Sequence, residues 1–325
     1  MTGTAPDAGD HYDLAGKRVW VAGHTGMVGS AVARRLSSEA CTILVADHGE
    51  LDLTRQSQTE AWVRHERPDA VVVAAARVGG ILANAQHPAD FLYENVMIAV
   101  NVMRAAYENG VEKLLWLSSS CVYPRDAPQP IREEMLLSGP LEKTNEAYAI
   151  AKIAGLKLAA AYNTQHSRRF ITAMPTNIYG PNDNFDASTS HVLPALMRKF
   201  HEAKMAGRRS VTLWGTGTPL REFLHVDDLA DACVFLLRNY ADSEPVNIGS
   251  GEEVSIHDLA RLVAQEVGFE GVFVYDTTKP NGTPRKRLDT SKMDAMGWKP
   301  RIGLGAGIRD LYEHWLSRGD AFAAS

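Results

Sequence analysis

Residues 18–22 (RVWVA) form a short apolar run that breaks at Gly23, and from Gly26 to position 36 apolar residues recur at helical spacing. That pattern predicts strand, glycine turn, helix. Residues 42–46 then read as a second strand and 54–66 as a helix. The run 70–76 (AVVVAAA) has no polar position to offer to water, as expected of a parallel strand buried on both faces. A long helix is predicted over 88–109, a strand over 114–117, a helix over 145–163 and a strand over 170–174. Strand and helix in regular alternation predict an α/β fold with a doubly wound parallel sheet, whose ligands bind at the carboxyl ends of the strands.

The texture changes near Asn182. A polar segment leads to a helix over 192–205, a strand near 211–214 and a helical pattern over 224–239. Ser255 with Asp258 reads as a capping box opening another helix. The chain closes with a Pro/Gly/Lys/Arg loop at 279–287 and two short helices. The expected organisation is a disordered tail over 1–15 and a dinucleotide-binding domain over 16–180 with a return segment about 224–250. A smaller α/β substrate domain would be built from 181–223 and 251–325.

Composition narrows the classes. With 325 residues, 45% hydrophobic and 22% charged, the chain suits a globular enzyme, and a net charge of −5 gives no basic surface for nucleic acid. No stretch approaches the ~18 apolar residues of a membrane helix. Cys41, Cys121 and Cys233 have neither metal-ligand spacing nor an even framework, so no metal site and a reducing, cytoplasmic setting are expected.

Gly23, Gly26 and Gly29 give G-x-x-G-x-x-G between strand and helix, where backbone amides and a helix N-terminus could take a pyrophosphate. Asp47, about 20 residues on, stands where a carboxylate usually takes the adenosine ribose. It would repel a 2′-phosphate and so argues for NAD(H). Arg34, Arg35 and His48 could offset it. Asp52 is a candidate for the adenine amino group or, alternatively, a cap for the following helix.

Tyr148 and Lys152 stand four apart in the apolar helix 145–163, so phenol and ammonium share a face. With Ser119 to hold a carbonyl oxygen, the pair suits carbonyl reduction. An ammonium ~4 Å from the phenolate favours it by up to ~4 kcal/mol at an effective dielectric of ~20, and does little for the neutral phenol. Cys121, two residues from Ser119, could act as a base toward a carbon next to a carbonyl, with His191 as its acid partner. Lys199, Trp214, Arg221 and Lys286 supply cations and a flat surface for an anionic nucleotide-sugar. For each of these residues the bland alternative is a core position or a solvated charge.

Specific stretches carry a resemblance: AGHTGMVGS at 22–30, AAARVGGI at 74–81, SSCVYP at 119–124, NEAYAIAKIAG at 145–155, MPTNIYGPNDNF at 174–185, Ser190-His191 and REFLHVDD at 221–228. In these the chain resembles the extended short-chain dehydrogenase/reductases with a Rossmann-like fold, along nearly its whole length. Within them it is similar to the branch that epimerises a GDP-4-keto-6-deoxy-sugar at C3 and C5 and then reduces C4. The resemblance implies Ser119, Tyr148 and Lys152 as the reductase triad, with Cys121 and His191 as base and acid of epimerisation. It implies NADP(H) bound over Gly23, Thr25, Gly26, Met27, Val28 and Gly29, touching also Lys152, Pro175, Asn177, Ile178 and His191. Lys199, Trp214, Arg221 and Lys286 fall at GDP-sugar positions. Thr25 stands where many members carry Arg, and Ala46-Asp47-His48 where they carry basic residues, so NAD(H) stays open as the alternative. A homodimer is expected through helices 88–109 and 145–163. The rival readings are a reductase or 4-epimerase for another nucleotide-sugar, and a non-catalytic dinucleotide sensor.

Overall fold

The computed structural model describes residues 11–186, 189–279 and 281–319. Its centre is a six-stranded sheet, wholly parallel, in the order β2-β1-β3-β4-β5-β9. These strands are β1 (Arg18–Ala22), β2 (Thr42–Leu44), β3 (Ala70–Val73), β4 (Lys113–Leu117), β5 (Arg169–Pro175) and β9 (Val246–Ile248). The chain runs outward from β1 to β2, then crosses to the far side for β3. The strand order therefore reverses at the carboxyl end of β1, where the glycine turn lies.

Alternate residues of each strand feed two apolar layers. Trp20, Val71, Val73, Leu114 and Trp116 join one core with α2 (Gln56–Glu66), α4 (Pro88–Glu108) and α5 (Glu146–His166). Val19, Val21, Val72, Leu115 and Ile171 join the other with α1 (Met27–Leu36) and α7 (Val226–Asn239). Period-two strands covered by helices on both faces require this sorting.

The second part holds β8 (Leu220–His225) between β10 (Glu253–Ser255) and β12 (Arg285–Lys286), with β6 (Asn177–Tyr179) also paired to β8. A separate parallel pair joins β7 (Ser210–Trp214) to β11 (Val272–Asp276). A third core gathers these strands under α6 (Val192–Met205), α8 (Ile256–Val267) and α10 (Leu304–Ser317). The short helices α3 (Ile81–Gln86) and α9 (Ser291–Ala295) complete the α-helices among the described residues.

Several expectations change, and the strand expected over 42–46 ends at Leu44. Residues 1–10 of the expected tail lie outside the described residues, but its end is not loose. Tyr12 and Leu14 are buried in the core shared with α1 and α7, and the Tyr12 N–H donates to the Arg238 carbonyl at 2.7 Å. The strand expected over 70–76 ends at Val73, since Ala75 must close against Gly23. The helix expected from 224 starts at Val226. Leu224 and His225 belong instead to β8, in register with Ile178 and Tyr179. Among the described residues no helix is long and apolar enough to cross a membrane, and no cluster suits a metal ion.

Candidate active site

Gly23 has φ +88°, and a Cβ there would fall 2.6 Å from the Ala75 backbone. A Cβ on Gly29 would run into the Gly23 carbonyl. Both glycines are therefore fixed by close approach of helix, turn and β3. Gly26 is the N-cap of α1 and no side chain caps it, so first-turn amides near Met27 and Val28 remain for a ligand. The cradle fits a dinucleotide diphosphate. Thr25 is exposed beside it.

Asp47 is exposed and stands 3.4 Å from His24 Nε2. Arg34 pairs with Asp227, and Arg35 pairs with Asp231 at 2.8 Å and Glu39 at 2.7 Å. The two arginines suggested by the sequence for a 2′-phosphate are thus engaged with carboxylates of α7 and of their own segment. Asp52 accepts from the Thr54 N–H at 2.9 Å and the Thr54 hydroxyl at 2.7 Å, turning the chain toward α2.

At the end of β4 the backbone is extended through Ser119, then makes a tight turn over Ser120–Val122. Ser119 Oγ accepts from the Cys121 N–H at 3.3 Å, which leaves its own hydrogen free to donate. Lys152 is buried. Its Nζ donates to the Leu117 carbonyl at 2.9 Å, and lies 4.4 Å from the centre of the Trp116 ring and 5.7 Å from that of Tyr148. Gly155, one turn on, permits this approach, because a Cβ there would sit 2.6 Å from the Trp116 indole. Phe91 meets the Tyr148 ring edge-on at 6.4 Å.

Burial sets the titration. It lowers Lys152 to about 8, against an opposing pull from Cys121. It raises Tyr148 well above its ordinary value, with Cys121 adding to the shift. Burial likewise pushes the Cys121 thiol up, while Lys286, the Ser119 hydroxyl and Lys152 act the other way. His191, the N-cap of α6, has a face open to solvent, yet protein crowds its imidazole and lowers its pKa. Its loop is clasped to the loop after β3, where the Gly80 N–H donates to the Thr189 carbonyl at 2.8 Å.

Pro175 ends β5, and Asn177 and Ile178 enter β6 beside β8. Asn177 Nδ2 donates to the Glu222 carbonyl at 2.7 Å and Thr176 Oγ donates to the same atom at 3.2 Å. Arg221 and Lys286 are register partners on β8 and β12. Lys199 lies 5.2 Å from the centre of the Trp214 ring, and the two line a cavity of about 310 Å³ with Glu202, Arg208 and Thr212. Trp214 is 57% exposed, an unusual state for so large an aromatic and one suited to stacking a base. The structure thus gathers Ser119, Cys121, Tyr148 and Lys152 with Lys286 nearby, and sets Lys199 with Trp214 in a cavity of their own.

Sequence reasoning missed Gly155, Lys279 and Glu222. Lys279 Nζ is 5.6 Å from the Trp214 ring centre. The fully buried Glu222 carboxylate accepts from Gly251 N–H at 2.8 Å and Leu288 N–H at 2.9 Å. An acidic residue within a strand, directly before the apolar Phe223 and Leu224, was the available signal.

Residues 19–249 match the family described as NAD dependent epimerase/dehydratase. The chain is 56% identical to a GDP-L-fucose synthase of Sinorhizobium fredii, over 94% of this chain and 98% of that protein. It is 58% identical to GDP-L-fucose synthase 1 of Arabidopsis thaliana, over 92% and 93%. A solved GDP-L-fucose synthetase from Naegleria fowleri, bound to NADP, superimposes with a TM-score of 0.88 at 29% identity, covering 96% of this chain and 98% of that one.

Proposed function

The chain belongs to the NAD dependent epimerase/dehydratase family, and within it we propose that it converts GDP-4-keto-6-deoxy-D-mannose to GDP-L-fucose, inverting C3 and C5 and then reducing C4 with NADPH. One observation carries this reading. Ser119, Cys121, Tyr148 and Lys152 converge at the end of β4, in a chain 56% and 58% identical along nearly its whole length to proteins named GDP-L-fucose synthase.

Epimerisation must come first, because the hydrogens at C3 and C5 are acidic only while C4 is a ketone. The Cys121 thiolate removes a proton from the flanking carbon, Ser119 donates to the C4 oxygen, and His191 returns a proton on the opposite face. A bound nicotinamide cofactor supplies the hydride for C4. Tyr148 then gives its proton to the C4 oxygen, and the Lys152 ammonium stabilises the phenolate left behind. The glycine turn, with Asn177 and Ile178, would hold the cofactor. Lys199, Trp214 and Arg221 would hold the GDP.

In this reading residues 16–180, with the return through 224–250, bind the dinucleotide, and 181–223 with 251–325 bind the sugar nucleotide. The enzyme works as a cytoplasmic homodimer, and its three free cysteines suit a reducing compartment.

The test separates the two half-reactions in heavy water. Cys121→Ser is expected to bind cofactor and retain some C4 reduction, without inversion or deuterium uptake at C3 and C5. Tyr148→Phe is expected to do the reverse. Wild-type exchange rates in Cys121→Ser would remove the epimerase half of the reading.

A further inference from the structure

Lys286 falls among the nucleotide-sugar cations by position, yet its surroundings point to a second task. It stands on β12 beside Arg221 of β8. The residues just after it are joined to the segment that follows the Cys121 turn. The Ile131 N–H donates to the Arg287 carbonyl at 2.8 Å, the Asp289 N–H to the Ile131 carbonyl at 2.8 Å, and the Arg287 N–H to Gln129 Oε1 at 2.9 Å.

Buried side chains lock this join. Asn247 Nδ2 donates to the carbonyls of Ile131 and Asp289, while its Oδ1 accepts from the Tyr123 hydroxyl at 2.6 Å. Tyr123 is two residues from Cys121. Glu222 holds the Leu288 N–H at 2.9 Å and ties the same strand to β8. Cys121 and Lys286, far apart in sequence, therefore ride on one hydrogen-bonded unit.

Burial alone would make Cys121 a poor base. Among the groups opposing that penalty, Lys286 comes first, ahead of Ser119 and Lys152. In return, Cys121 leads the groups that keep Lys286 charged against its own burial. Glu142 supports it and Arg221 opposes it. Lys152 is already committed to the Leu117 carbonyl and the Trp116 and Tyr148 rings.

We propose that Lys286 is the counter-ion of the Cys121 thiolate, a positioning residue that serves epimerisation while the Lys152 ammonium serves reduction. The proposal rests on the function read above. In the step itself, a C–H bond next to the C4 ketone breaks and an S–H bond forms, and the electron pair moves into an enolate with its charge on the C4 oxygen. A proton from the His191 imidazolium closes the inverted C–H bond. Thiol and imidazole regain their starting forms by proton exchange with water.

The experiment uses the full chain with NADP bound. The thiolate ultraviolet band is titrated, with Cys121→Ser as the blank, and deuterium uptake at C3 and C5 is followed beside reduction of a ketone already inverted at both carbons. In Lys286→Met the Cys121 midpoint is expected to rise by about one to two pH units. Exchange at neutral pH should fall ~10–100-fold with it, since only the thiolate is the base. Reduction should fall far less. Lys286→Arg should restore much of the exchange. An unchanged midpoint in Lys286→Met would overturn the proposal. So would exchange and reduction falling by one common factor with a raised KM, the mark of a cation that only binds diphosphate. A wild-type enzyme that exchanged neither position would instead defeat the functional reading, and the titration would still decide whether the ion pair exists.

Discussion

Lys152 gives the reductive step a pH signature of its own. Burial brings it to about 8, and only its charged form stabilises the Tyr148 phenolate. The kcat/KM for C4 reduction should therefore hold steady near neutrality and fall as pH rises through about 8, the value for the free enzyme. Lys152→Met should lose that limb along with ~10²–10⁴-fold of rate, read from the absorbance of the reduced cofactor. Asp183 offers a test of stability. Burial raises its carboxyl to about 7, opposed by the Asn184 N–H, and its Oδ2 is buried with no partner among the described residues. A raised carboxyl keeps its proton in the folded state after the unfolded chain has lost it. Its contribution is thus favourable below the ordinary range near 3.8 and is lost as pH rises to about 7. Asp183→Asn should raise the Tm by a few degrees at pH above 7, with the gain vanishing toward pH 4, as calorimetry of both proteins would show. A gain that did not depend on pH would place the cause elsewhere than in this titration.

The elements show which parts of the sequence were legible. Helix α5 was legible because Tyr148 and Lys152 are local neighbours at a spacing fixed by helix geometry. So was the start of α8, where Ser255 Oγ accepts from the Asp258 N–H at 3.0 Å. The beginning of α7 was not, because Leu224 and His225 look helical locally and become strand only through pairing with β6. The pairing of Arg34 and Arg35 with α7 was hidden for the same reason, being a product of how α1 and α7 cross. So was the link between Lys286 and Cys121, which needs the whole second sheet. Gly155 belongs with these, since a glycine inside a helix reads as a weakness until Trp116 is seen beneath it. Gly155→Ala should therefore not stabilise α5. The added methyl must push the helix from β4, costing roughly 1–3 kcal/mol by overpacking and drawing Lys152 from the Leu117 carbonyl. Denaturant unfolding should show the lost stability, and kcat for reduction should fall with it. A more stable variant with unchanged kcat would mean that α5 has slack at this point.

At the scale of the whole molecule, α4 and α5 lie side by side on one face of the sheet, and their outer surface is unlike that of α1 and α7. On α4 the outward positions Tyr93, Val100 and Arg104 fall on one stripe, with Tyr93 59% and Val100 43% exposed. On α5 the outward stripe is Ile150, Ala154, Lys157 and Ala161, with Ile150 45% exposed. Large apolar side chains left open on adjacent helices cost free energy in water and are normally covered by a partner. A self-complementary patch made of two helices is readily satisfied by a two-fold axis, which sets four helices together and buries the same residues twice. The small Ala154 and Ala161 would let the backbones approach, and the spaced charges of Arg104 and Lys157 would lie at the rim. The wild-type chain should accordingly have twice its 35.5 kDa mass in light scattering. The double variant Val100→Glu with Ile150→Glu should halve that mass, because each carboxylate would have to be desolvated against its own copy. Its circular dichroism should stay native, since both side chains point away from the sheet. Tyr148 and Lys152 hold the opposite face of α5, so cofactor binding should persist while the helix loses its outer support. A wild-type mass of 35.5 kDa at every dilution would leave the stripe as bare surface, and the dimer would have to be abandoned.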